Sequence, residues 1–162
     1  MAEPTPIYFP EDDDPLHFVV ISKPWVQKNN TQIRYRNPRQ KTGAFVDHAE
    51  DMKAARQRMS RLVYDQYCAQ GRSSPIDYLI FANLVFYVSR SHEPDLDNLP
   101  AFVYDAMQGI SVKGVRGLKV AQVLVDDKLL REQHSRKIVE GDIGYDGEPR
   151  TEITIRRYKD AR

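Results

Sequence analysis

The run Tyr78 to Val88 (YLIFANLVFYV) restricts the fold more than any other stretch of the chain. Apart from Asn83 it is apolar, and it is rich in β-branched and aromatic side chains. Such a run suits a strand with both faces covered better than a helix of that length, so it is predicted to be the central strand of a sheet. The remaining residues must then supply further strands and the helices that cover it. A chain of 162 residues has the usual size of one domain and buries roughly 68 to 70% of its unfolded surface on folding. With 41% apolar residues it is no disordered tail, and no window approaches the ~20 apolar residues of a membrane span.

Other elements follow from periodicity. His17 to Ser22 (HFVVIS) reads as a short buried strand, ended by Lys23 and Pro24. Lys28 to Gly43 reads as an exposed hairpin or loop. From Asp47 to about Gln70, Met52, Ala55, Met59, Leu62, Val63 and Tyr67 form one helical stripe, with Arg58, Arg61 and Asp65 outward and Gly71 as the stop. Leu99, Phe102, Val103, Ala106 and Met107 mark a second, shorter helix, with Pro100 in its first turn and Gly109 after its end. Lys119 to Val125, Leu129 to Ile138 and Thr151 to Tyr158 are predicted strands. The expected architecture is a single α/β domain of the α+β type over residues 16–162. In it a mixed sheet packs with about two main helices. Residues 1–15, with four prolines and Asp12, Asp13 and Asp14, are expected to be a loose acidic arm.

The net charge of +1 conceals an uneven distribution: successive segments 1–22, 23–72, 73–112 and 113–162 carry −5, +7, −4 and +3. A basic segment before an acidic middle suits either solvated faces or a polyanion-binding surface around a carboxylate cluster. Between Lys28 and Lys41 the bases Lys28, Arg34, Arg36, Arg39 and Lys41 interleave with Tyr35 and the amides of Asn29 and Asn30. That mixture suits nucleic-acid backbone contact, and equally a solvated loop.

The residues with chemical content are Asp95, Asp97 and Asn98 at the mouth of the second helix, with Asp126 and Asp127 some thirty positions on. In extended chain two carboxylates at i and i+2 point to one side, and Mg²⁺ takes oxygen ligands while keeping several waters. Such an ion activates water and stabilises the charge of a phosphodiester under in-line attack. The same residue types also cap helices, so both readings stand. A calcium EF-hand fails, since counting from Asp95 puts Pro100 where Gly is required and Ala106 where Glu is required. His17, His48, His92 and His134 are scattered and Cys68 is alone, which speaks against zinc and against a disulfide framework. There is no phosphate-binding Gly-rich loop and no G-x-S-x-G elbow. The start of the chain lacks the pattern of a secretion signal. A cytoplasmic setting is expected, with no membrane contact and with no glycan at the Asn29 sequon.

The run Asp95 to Met107 (DLDNLPAFVYDAM), followed by Asp126 and Asp127, resembles the RusA family of Holliday-junction resolvases, small endonucleases of phages and prophages. Lys28, Asn29 and Asn30 look like that family's loop after its first strand, and Glu152 to Tyr158 like its closing strand, so the likeness covers about residues 17 to 158. The resemblance implies a RusA-like homodimer that binds four-way DNA junctions in recombination and repair. With Mg²⁺, or Mn²⁺ in its place, it would nick strands of like polarity symmetrically. It places metal-binding, catalytic aspartates at Asp95, Asp97 and Asp127, with Asp126 assisting and Asp105 matching a further family acid. DNA contacts would come from Lys28, Asn29, Asn30, Arg34, Arg36, Arg39, Lys41, Arg90 and Lys128. One departure stands out: the family's catalytic Lys, four residues after the second Asp, is Ala101 here. Lys128, Arg131 or Lys137 would have to compensate, Lys137 being the first candidate, or the protein binds junctions with its chemistry slowed or lapsed. Cleavage of flaps or forks is the further alternative.

Overall fold

The computed structural model describes residues 15–26, 31–37, 39, 40, 42–48 and 50–158. Along the chain run β1 (Leu16–Val20), β2 (Thr31–Asn37), β3 (Thr42–His48), α1 (Glu50–Ala69), β4 (Ile80–Val88), α2 (Leu99–Met107), β5 (Ile110–Ser111), β6 (Lys119–Val120), β7 (Leu130–Val139) and β8 (Arg150–Arg157). The main sheet has the order β1-β8-β4-β7. β8 is antiparallel to both β1 and β4, whereas β7 runs parallel to β4, so the sheet is mixed. A parallel neighbour needs a crossover, and the chain makes it through α2. The strands β2 and β3 form a separate hairpin, as do β5 and β6. This is the expected single α+β domain. The arm (residues 1–14), Lys28, Asn29, Asn30 and Lys41 lie outside the described residues.

Strand alternation explains the core. Leu16, Phe18 and Val20 of β1, Ile80, Ala82, Leu84 and Phe86 of β4, and Ile153 and Ile155 of β8 all turn into one cluster. They meet Met52, Ala55, Met59, Val63 and Tyr67 of α1 and Leu99, Phe102, Val103, Ala106 and Met107 of α2. Two expectations are corrected here. The strand β4 is not equally covered on both faces: Phe81, Asn83 and Val85 are only half-buried, because both helices contribute to the core on its other side. Leu62 is 44% exposed, since at about 100° per residue it falls about 80° from the stripe's centre near Met52.

Local chemistry sets the helix ends. Gly71, at φ +78°, lets Arg72 N–H reach Tyr67 O and Gly71 N–H reach Cys68 O, the paired bonds of a Schellman stop. The helix α1 also closes the outer edge of β1. Gln66 donates from Nε2 to Val19 O and accepts Val19 N–H, both at 2.9 Å. Gln70 does the same for His17, at 2.8 and 3.1 Å. Four helical residues rise about 6 Å and two strand residues about 6.8 Å, so the two spacings match. At the far edge no strand among the described residues pairs with the outer side of β7.

The predicted strand Lys119 to Val125 is corrected as well: only Lys119–Val120 is a strand. Ala121 has φ +51°, outside the extended region, and the chain continues as a strap. Val123 and Leu124 both donate to Met107 O, and Ile76 donates to Val123 O, which buries the two side chains without adding a strand to the main sheet.

Candidate active site

From the end of β4 the chain makes one 3-10 turn (Arg90–His92) and a second (Leu96–Asn98) before α2. Asp95 is extended, at φ −66° and ψ 134°, and Asp97 lies inside the second turn. The two side chains are therefore not related as they would be in a strand, because a 3-10 turn rotates successive side chains by about 120°. Asp97 lines a cleft that Asp95 does not. Neither Asp95 nor Asn98 uses its side chain to cap a helix N–H, so capping does not account for these two residues.

Asp126 and Asp127 differ from that pair. Asp126 Oδ1 accepts Lys128 N–H at 2.8 Å, capping the 3-10 turn Asp127–Leu129 that leads into β7. That bond holds its carboxyl below the usual range, and a hydrogen bond with Asp127 pulls the same way. Asp127 moves upward, first through lost solvation, then through the hydrogen bond and charge of Asp126 and the charge of Asp105. The adjacent pair thus behaves as one ionised and one more readily protonated carboxyl.

The cleft has a volume of about 600 Å³ and lies between α2 and β7, with Asp97, Ala101, Tyr104, Asp127, Gln133 and Ser135 among its lining residues. Its floor is a directional chain. Burial pushes the Tyr104 phenol far above its usual range, so it stays a donor, and its hydroxyl bonds Gln133 Oε1 at 2.7 Å. That fixes the amide, whose Nε2 donates to Ser135 Oγ at 2.8 Å. Ser135 Oγ accepts there, which leaves its own proton for another partner. Tyr104, Gln133 and Ser135 were not singled out by sequence reasoning. The available signal was alternation along β7, which sets Gln133, Ser135 and Lys137 on one side of the strand.

Lys137 reaches neither Asp97 nor Asp127. Its ammonium, 20% exposed, lies 2.8 Å from Glu93 Oε1 and 2.9 Å from Pro94 O, and so ties the loop carrying Asp95 to β7. Asp105 is half-buried, with Arg56 at 3.8 Å. Arg131 donates to Lys128 O, and Arg90 and Lys128 are exposed. Arg34 and Arg36 lie on β2, and Arg39 is exposed in the turn that follows. Two carboxylates on one open cleft suit the oxygen chemistry of Mg²⁺, which commonly uses one or two carboxylates and fills its octahedron with water and phosphate. Among the described residues, no three His, Cys, Asp or Glu side chains gather as a metal-holding group. No helix among them is long and apolar enough to cross a membrane. No protein-family model matches the chain, and no curated protein matches it.

Proposed function

We propose that the protein is a Mg²⁺-dependent, structure-selective endodeoxyribonuclease of RusA type that resolves four-way DNA junctions as a cytoplasmic homodimer. One observation carries this reading: Asp97 and Asp127, thirty positions apart, line a single open cleft together with the Ser135 hydroxyl. Asp97 and Asp127 are the residues that would hold the ion, with Asp95 and Asp126 beside them. When bound, Mg²⁺ supplies an activated water and charge stabilisation for phosphodiester hydrolysis. The protein's own part is positional. Ser135 offers its proton to a phosphate oxygen, Tyr104 and Gln133 keep that donor aimed, and Lys137 holds the Asp95 loop against β7. Two cuts in strands of like polarity ask for two identical sites, which a two-fold dimer supplies.

A second reading has its own support: Ala101 lines the cleft where the family's lysine would stand, and the Lys137 ammonium is already engaged by Glu93. A protein so built would grip a junction without cutting it. The deciding experiment compares a synthetic four-way junction with a linear duplex of matching sequence, with Mg²⁺ and with EDTA, for wild type and Asp97→Asn. Symmetric, metal-dependent nicks lost in the variant support the nuclease. Tight junction binding with no nicking by either protein supports the second reading, and flap or fork substrates in the same panel test for a different branched target.

A further inference from the structure

The hairpin β5–β6 has a surface unlike its surroundings. From Ile110 to Val120 it carries Lys113, Arg116 and Lys119 and no acid, and none of the three forms an ion pair among the described residues. Val115, Leu118 and Val120 are 51%, 49% and 50% exposed. This is a shaped tip. Ile110 pairs with Val120 and Ser111 with Lys119, and Val112 N–H bonds Leu118 O at 3.0 Å. Gly114 and Gly117, at φ +82° and +79°, make the tight turns that a side chain would resist. The root is fixed just as closely: a Cβ at Gly109 would meet Val120 O at 2.7 Å, so the hairpin base sits directly on the end of α2.

The root of the hairpin lies against α1 and α2. Lys119 and Asp105 line one recess at its root, together with Arg56.

We infer that the 110–120 hairpin is a wedge for the branch point of DNA, with Val115 and Leu118 packing on base faces where strands part and Lys113, Arg116 and Lys119 neutralising the flanking phosphates. In an intact duplex stacking hides the base faces, and at a branch they become available to apolar side chains, which proteins insert between base steps. Three cations on one tip, none in an ion pair among the described residues, favour a polyanion. They repel a second copy of the same tip.

This inference rests on the branched-DNA reading, and its test separates the two. Binding is measured to a four-way junction carrying 2-aminopurine at its centre and to the matching duplex, for wild type, Val115→Ser/Leu118→Ser and Lys113→Gln/Arg116→Gln. The serine variant is expected to lose about five- to tenfold in junction affinity with duplex affinity unchanged, and to lose the rise in 2-aminopurine fluorescence that unstacking produces. The glutamine variant is expected to weaken both complexes and to flatten the salt slope by about 1.8. Junction binding and fluorescence equal to wild type in both variants overturn the wedge and leave the DNA reading standing. Failure of wild type to bind either DNA overturns both. Conversion of a dimer to a monomer by the serine variant, seen by sedimentation with junction affinity intact, overturns the wedge and assigns the face to a second copy.

Discussion

The two acidic pairs look alike as sequence and differ as chemistry. Asp95 and Asp97 straddle the start of a 3-10 turn and make no capping bond, and only Asp97 lines the cleft. Asp126 and Asp127 shift each other's protonation in opposite directions, and Asp126 is committed to a cap. A carboxylate with no structural task is free for a substrate or an ion, whereas one that caps a turn is partly spent on the fold. The difference teaches that proximity in sequence says less about a donor's availability than what its oxygens already bond.

The largest expected effect falls on Asp97. On the nuclease reading, Asp97→Asn lowers cleavage by about a thousandfold or more while junction affinity holds or rises, since a phosphate-repelling charge is gone. Asp126→Asn, which can still cap, costs less than about tenfold, and Asp126→Ala also lowers the thermal stability through loss of the cap. Equal losses of cleavage in the two asparagine variants, measured by single-turnover nicking, would erase the contrast between the pairs.

Lys137→Met comes next. It releases the Glu93–Pro94 loop, and a displaced Asp97 costs cleavage about ten- to a hundredfold, with only about 1 kcal/mol of stability lost. Recovery by Lys137→Arg identifies a tether. A full loss in the arginine variant with unchanged thermal stability would instead make the lysine a direct participant in the chemistry.

Ser135→Ala is expected to weaken junction binding by about tenfold or less, one hydrogen bond to a charged group, without changing the cleavage rate at saturating DNA. A fall in that rate alone would contradict the phosphate-holding role.

The smallest effects lie in the pH dependence of folding. Asp126, with its folded-state pKa depressed, stabilises above the ordinary aspartate range and loses that contribution as pH falls through its folded value. Asp127, with its pKa raised, works in the opposite sense: its contribution is present at low pH and lost as pH rises through its folded value. The two therefore act in opposite directions. Carbon-detected NMR titration should find Asp127 titrating above Asp126, and Asp126→Asn should return Asp127 towards ordinary behaviour. Identical titrations of the two carboxyls would remove the asymmetry on which the comparison rests.

Much of the fold was legible because periodicity records which side of an element meets the core. The stripe from Met52 to Tyr67 and the set from Leu99 to Met107 are buried as their spacing required, apart from Leu62 on the flank. The strand predicted over Lys119 to Val125 failed because a positive φ at Ala121 leaves no mark in a hydrophobic pattern. In the candidate site, Asp97 and Asp127 were visible as carboxylates beside predicted element ends. Tyr104, Gln133 and Ser135 were not, because their roles depend on which atom of one bonds which atom of another across the gap between α2 and β7.

The uneven charge is written in the residues themselves, and the single α+β domain and the two helices with their glycine stops follow from local propensity and from which side chains leave water. Long-range packing sets the rest: β8, the final strand described, lies inside the sheet, Lys137 is paired with Glu93, and of four similar aspartates two share a cleft. Strand order and side-chain pairing depend on long-range contacts between segments whose local patterns are compatible with several partners. The choice among those partners is made when the core closes.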